Sequence, residues 1–297
     1  MASAPVTPHG ALVPRHPRGF APLAGVRVLS LALNLPGPAA LTRLRALGAE
    51  VRKVEPPGGD PMRAMCPTLY RAMHRGIPVD TLDLKTQEGQ QGLHAALDVS
   101  DVLLTSFRPG ALTRLGLDAA TLKRGWPGLC VVSVVGARGR AAAHAGHDLT
   151  YQAVAGLLDR ATLPQTLVAD MLGAMLVVEA TLAALLHARA TGKGAALQVA
   201  LADAAAFAAA PRLAGLTAPG ALLGGALAGY GVYRCSDGLV AVAALEPHFA
   251  AALARAAGGS SRAAITRWCR AHAASQLNAI AAAEDVPLHA WTTARGD

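Results

Sequence analysis

GVRVLSLALNLPGPAALTRLRALGAEVRKV, residues 25–54, decides the architecture. Its opening, Gly25–Leu31, is a short run of valine and leucine suited to a strand buried on both faces. Pro36-Gly37-Pro38 turns the chain, Ala39–Leu47 reads as a helix, and Gly48 ends it. Ala49–Val54 is predicted as a second strand, with Val51 and Lys53 at alternate, partly exposed positions. Strand, helix and strand joined by short connections form the unit of a parallel sheet.

Working outward, the pattern continues. Leu82-Asp83-Leu84 reads as a short strand, Thr86–Leu97 as a helix, and Asp101–Thr105 and Leu129–Val135 as apolar core strands, with Leu197–Ala200 as one more. The fold class is therefore α/β, built on an open parallel sheet. From Tyr151 the chain turns to long alanine-rich helices, and Asp170–Ala190 closes at the glycine stop Thr191-Gly192-Lys193-Gly194. Tyr230–Ala244 reads as a hairpin turning at Ser236-Asp237-Gly238, with helices from there to about Ala283. Residues 1–21 hold three prolines before Arg15 and no continuous apolar core, so they read as a flexible tail and not a signal peptide.

The net charge of +8 is spread along the chain, with no basic run interleaved with aromatics. That pattern argues against nucleic acid and suits a small acidic ligand such as a phosphorylated cofactor. Cys66, Cys130, Cys235 and Cys269 make no C-x-x-C pair and no zinc-like spacing. No metal is expected, and the thiols read as reduced in a cytoplasmic protein. The longest apolar stretch, near 171–186, contains Glu179, so no membrane span is expected.

Chemistry concentrates in GHDLTYQAVAGLL (146–158) and VADMLGAMLVVEATLAALL (168–186). They place His147 and Asp170 just before two helix-like runs, where unpaired backbone N–H groups favour an anion. An imidazole and a carboxylate there suit proton transfer and oxyanion stabilisation. The same letters also read as ordinary helix caps, Asp148 and Asp170, beside a loop histidine.

The motifs, in order, resemble the family III CoA-transferases, the group that includes formyl-CoA transferase, carnitine CoA-transferase and α-methylacyl-CoA racemase. PLAGVRVLSL, GPAALTRLRALGAEVRKVEPPGGDPMR, LDLKTQEG and DVLLTSFRPGALTRLGLD carry the first half of the likeness. AGHDLTYQAVAGLL, VADMLGA, ARATGKGAALQVALADA and YGVYRCSDGLVAVAALEPHF carry the second. The resemblance implies a Rossmann-like large domain, residues 22–205, and a smaller α+β domain, residues 206–297, with an acyl-CoA thioester as substrate, no tightly bound cofactor, and an interlocked homodimer. It implies Asp170 as the nucleophile of a transferase, or Asp170 and His147 as the two proton carriers of a racemase. Arg108, in FRPG, is implied as a CoA contact, and Lys53, Glu55 and Arg63 flank the loop that receives the adenosine end. Gly224-Gly225…Gly229 resembles the family's mobile loop over the active site.

Departures from the pattern bear on function. Ile77 stands where the family has lysine, and Met171-Leu172 follow Asp170 where glycine is usual. The chain ends at Asp297, soon after Leu288, which predicts a small domain shortened at the C-terminus. His147 tips the reading toward racemase-like proton transfer at the α-carbon of a 2-methylacyl-CoA. CoA transfer through an Asp170 thioester and a non-catalytic acyl-CoA binder are the alternatives.

Overall fold

Six parallel strands in the order β3-β2-β1-β4-β5-β6 form the sheet of the first of two units, Met1–Ala209, in a computed structural model that describes residues 8–13 and 16–293. The order reverses between β1 and β4, as in doubly wound folds. The chain runs α1 (Pro8–Leu12), β1 (Arg27–Ser30), α2 (Pro36–Ala46), β2 (Glu50–Glu55), α3 (Met62–Met65), α4 (Pro67–Met73) and β3 (Val79–Thr81). It continues through α5 (Gln87–Asp98), β4 (Val102–Thr105), α6 (Pro109–Arg114), α7 (Ala119–Gly125) and β5 (Cys130–Val135). Then come α8 (Asp148–Val154), α9 (Val168–Thr191), β6 (Ala196–Ala200) and α10 (Leu201–Leu213), the last running into the second unit.

Alternation along the strands loads both faces of the sheet. Val28, Val51, Val102, Leu104 and Val132 belong to one core with α2, α4 and α9. Leu29, Val54, Leu103 and Val131 belong to a second core with α5 and α7. Because each face is covered, the strands read as nearly continuous apolar runs.

Several sequence expectations shift. Lys53, expected to be partly exposed, is fully buried, because its side of β2 is covered by α4. The third strand is Val79–Thr81 and not Leu82–Leu84; it pairs Lys53 with Val79 and Glu55 with Thr81, and Leu82 and Leu84 instead pack onto the core beneath α5. Within the segment read as a tail, α1 buries Leu12, whose carbonyl accepts a hydrogen bond from Arg43 on α2 at 3.4 Å. By length and composition alone α9 could cross a membrane; its Ala169, Gly173, Ala174, Val177, Val178 and Leu185 are buried within the first unit.

The second unit, Ala210–Asp297, has its own core. β7 (Tyr230–Arg234) and β8 (Gly238–Ala243) form the expected hairpin, followed by α11 (Pro247–Ala257), α12 (Arg262–Ala271), α13 (Ala274–Glu284) and β9 (Leu288–Thr292). β9 was not expected; it pairs antiparallel with β8, Val240 opposite Ala290. Gly238 serves both the turn and this pairing, since a Cβ there would lie 2.0 Å from the Trp291 carbonyl oxygen. All four cysteines are free thiols, and Cys130, Cys235 and Cys269 are buried.

Candidate active site

A cleft of about 200 Å³ opens at the C-terminal ends of β1, β4 and β5, where the strand order reverses and ligands of open α/β sheets bind. Leu33 and Asn34 come from the loop after β1, Ser106 and Arg108 from the loop after β4. Gly136 follows β5, and His144, His147, Tyr151 and Asp170 complete the polar wall. Three of the expected site residues, Asp170, His147 and Arg108, thus share one cavity.

The aspartates are not simple caps. Leu167 is the N-cap of α9, which puts Asp170 in its first turn, and His147 is the N-cap of α8, which puts Asp148 in the first position of that helix. The buried Asp148 reaches across to α9: its Oδ1 accepts the backbone N–H of Asp170 at 3.0 Å, and its Oδ2 accepts from Gln152. One orphan donor at the start of a 24-residue helix is satisfied by a residue far from it in sequence. The Thr150 hydroxyl secures His147 by accepting its backbone N–H at 3.1 Å.

Burial pushes the Asp170 carboxyl up to about 6; the like charge of Asp148 adds to this and His147 opposes it. At neutral pH such a group is mostly ionised yet more basic than an ordinary aspartate, which suits a nucleophile or a base. His147 is exposed and lines the cleft, and Arg108, the N-cap of α6, is exposed beside it.

Lys53, Glu55 and Arg63 are not brought to the cleft. The Lys53 ammonium lies 3.0 Å from Glu55 Oε1, 2.5 Å from Asp60 Oδ2 and 2.9 Å from His74 Nε2. Tyr70 donates to Glu55 at 2.9 Å, and the exposed Arg63 donates to Glu55 at 3.0 Å and to Tyr70 at 2.8 Å. His74 Nδ1 donates to the Tyr70 carbonyl at 2.7 Å, leaving Nε2 to accept from Lys53. Burial and the Lys53 charge both hold the His74 pKa down. Burial drives Glu55 up, but hydrogen bonding and charge from Lys53 outweigh it and the net shift is downward. Burial, then Glu55, push the Tyr70 phenol up to about 12.

Glu55, Asp60 and His74 have the spacing of a metal site, but Lys53 already supplies the cation among them. Lys53 and Glu55 are therefore structural partners, with no free valence for a phosphate. The cluster reaches the cleft wall through Asn34: the Asp60 carboxylate accepts the Asn34 backbone N–H at 3.1 and 3.2 Å, and Asn34 holds the left-handed φ of 67°.

Sequence reasoning missed Asn34, Tyr151 and His144 in the cleft wall. The glycine segment resembling a lid forms a turn over Leu222–Ala226 in the second unit, with Gly225 at φ 116°. Arg262 pins it, donating to the carbonyls of Gly225 at 2.6 Å and Leu227 at 3.0 Å.

Comparison with known proteins gives a consistent result. The model of CoA-transferase family III matches residues 23–295. The "Probable fatty acyl-CoA transferase Rv3272" of Mycobacterium tuberculosis is 34% identical over 202 residues, 62% of this chain and 51% of that protein. A CaiB/baiF CoA-transferase family protein of Caenorhabditis elegans is 30% identical over 248 residues, 76% of this chain and 70% of that one. The crystal structure of Rv3272 superposes with a TM-score of 0.80 at 26% identity, covering 92% of this chain and 86% of that chain. The alignment with the succinate–glutarate CoA-transferase of Agrobacterium fabrum, 34% identical over 205 residues and 61% of this chain, also spans only 51% of that relative. The chain thus spans about half the length of these two curated relatives.

Proposed function

The chain belongs to CoA-transferase family III, and from that premise we propose that it moves CoA between carboxylic acids with Asp170 as the nucleophile. The observation that carries this reading is a half-buried carboxylate, raised to about 6, in the wall of a cleft at the strand-order reversal. The named relatives support it, since those with a stated activity are CoA-transferases.

In this reading Asp170 attacks the acyl-CoA carbonyl, and the carbonyl electron pair moves onto oxygen. Collapse breaks the C–S bond and leaves an acyl–aspartyl anhydride with CoA thiolate. The thiolate then attacks the aspartyl carbonyl and expels the first acid as its carboxylate. The second acid attacks the resulting aspartyl thioester, and CoA returns to its acyl group by the reverse sequence. Asp148 fixes the backbone of the nucleophile throughout, and Arg108 supplies positive charge at the cleft mouth for CoA phosphate. CoA is substrate here, not a resident cofactor. The active species in this reading is a homodimer.

Incubation with an acyl-CoA followed by hydroxylamine should convert Asp170 to its hydroxamate, seen by peptide mass spectrometry. An unmodified Asp170 in protein that turns over would sink the proposal. His147 in the same cleft favours one second reading: exchange of the α-proton of a 2-methylacyl-CoA between Asp170 and His147. That reading requires α-deuteration in heavy water and a severe loss of activity in His147→Ala, whereas transfer leaves His147→Ala mostly active.

A further inference from the structure

We propose that Tyr151 is a catalytic hydrogen-bond donor, holding the thioester carbonyl oxygen while Asp170 attacks. The proposal rests on the transfer reading above and goes beyond the assignment of the nucleophile.

Tyr151 lines the same cleft as Asp170 and Arg108. Its ring occupies a slot made by two glycines on separate segments. A Cβ on Gly136 would lie 2.2 Å from the Tyr151 hydroxyl oxygen, and one on Gly146 would lie 2.6 Å from it. Both distances are far inside van der Waals contact, so any other residue at either position would push the hydroxyl away. The backbone has been thinned on two sides to seat one phenol.

The seat gives that phenol nothing to bond. Among the described residues the Tyr151 hydroxyl makes no hydrogen bond, unlike Tyr70, which bonds Glu55 and Arg63, and Tyr233, which bonds Ala228 and Arg262. A half-buried hydroxyl without a protein partner, on the wall of a polar cleft, is a donor kept for what enters the cleft. Its position relative to the nucleophile is fixed. Tyr151 and Asp148 share α8, and Asp148 bonds the backbone N–H of Asp170. Donor and nucleophile thus stand on one braced corner, as preorganised oxyanion stabilisation requires.

The surroundings keep the group protonated. Burial raises the phenol pKa, the Asp170 charge raises it further, and Arg108 opposes them. At neutral pH the hydroxyl donates, and it gives up no proton in the step. As Asp170 forms its C–O bond, the carbonyl electron pair becomes an oxyanion that accepts from the Tyr151 O–H. The bond is returned when the C–S bond breaks.

The test is Tyr151→Phe, which keeps the ring in its slot and removes only the donor. With an acyl-CoA donor and a carboxylic acid acceptor, kcat should fall about 10²-fold while KM stays within about twofold. Single-turnover acylation of Asp170 should slow by the same factor. Gly136→Ala, which displaces the hydroxyl of an intact tyrosine, should reproduce the loss, and combining the two should add little. Wild-type kcat in Tyr151→Phe, or a loss confined to KM, overturns the proposal. Asp170→Asn run in parallel separates the two ideas. If Asp170→Asn is dead and Tyr151→Phe is wild type, only the role of Tyr151 falls; if Asp170→Asn is active, the transfer reading falls and this proposal with it.

Discussion

Two groups of acids lie near the C-terminal ends of the same parallel sheet, and only one of them remains open to chemistry. Glu55 and Asp60, behind β2, are buried around the Lys53 ammonium, with every charge answered at 3.0 Å or less. Asp148 and Asp170, beside β5, have each other for company; among the described residues no cation bridges Asp170. Glu55 is pulled down by its partner, while Asp170 is pushed up to about 6 by burial and a like charge. Burial alone therefore does not mark a functional acid. A buried acid that has been left unneutralised does.

The largest effect that would sharpen this contrast is on turnover. Asp170→Asn should lower transfer by on the order of 10⁴-fold or more, measured as kcat/KM for acyl-CoA with a carboxylic acid acceptor. Lys53→Met should act on stability instead. Leaving Glu55 and Asp60 without their cation costs about 3–5 kcal/mol, read from urea unfolding midpoints. If Lys53→Met unfolds like wild type and loses CoA affinity, the two clusters have been assigned the wrong way round.

A smaller shift tests the coupling inside the open pair. Asp148→Asn keeps an oxygen to accept the Asp170 N–H but removes the like charge. The acid limb of the kcat/KM profile should therefore move below its wild-type position near pH 6. The same raised pKa has a stability consequence. Asp170 has a folded-state pKa above its unfolded value, so its ionised form opposes folding at neutral pH, and the penalty fades as pH falls from about 6 toward 4. Asp170→Asn should therefore melt higher than wild type at pH 7.5 and no higher at pH 4. Smallest of all, Arg63→Ala should cost less than about 1 kcal/mol, because that guanidinium is largely in solvent and Glu55 keeps Lys53.

The parts of this molecule legible in the sequence are those set by local periodicity. The body of α2, the apolar strands and the hairpin at Ser236-Asp237-Gly238 each follow from neighbours a few residues apart, although Pro36-Gly37-Pro38, expected as a turn, forms the first turn of α2, where proline is tolerated. What was illegible depends on partners far along the chain. Nothing around Lys53 announces that Tyr70 and His74 will roof it, so the alternating pattern by itself predicts partial exposure. Asp148 looked like a cap for its own helix, whereas its acceptor duty is to Asp170, 22 residues away. β9 is a five-residue strand whose partner β8 ends 45 residues earlier, and its short alternation carries little signal by itself. The site was half legible: Asp170, His147 and Arg108 converge, but the slot for Tyr151 is cut by Gly136 and Gly146 on different segments.

The sealed position of Lys53 also governs its reactivity. Free amines are slowly acylated by thioesters, so under the transfer reading proposed above few exposed amines would limit self-acylation. Of the 27 basic residues here only four, Lys53, Lys85, Lys123 and Lys193, are lysines. Clamped between two carboxylates and out of solvent, Lys53 offers no accessible lone pair, so acylation damage should fall on the other three and leave the fold's internal cation intact.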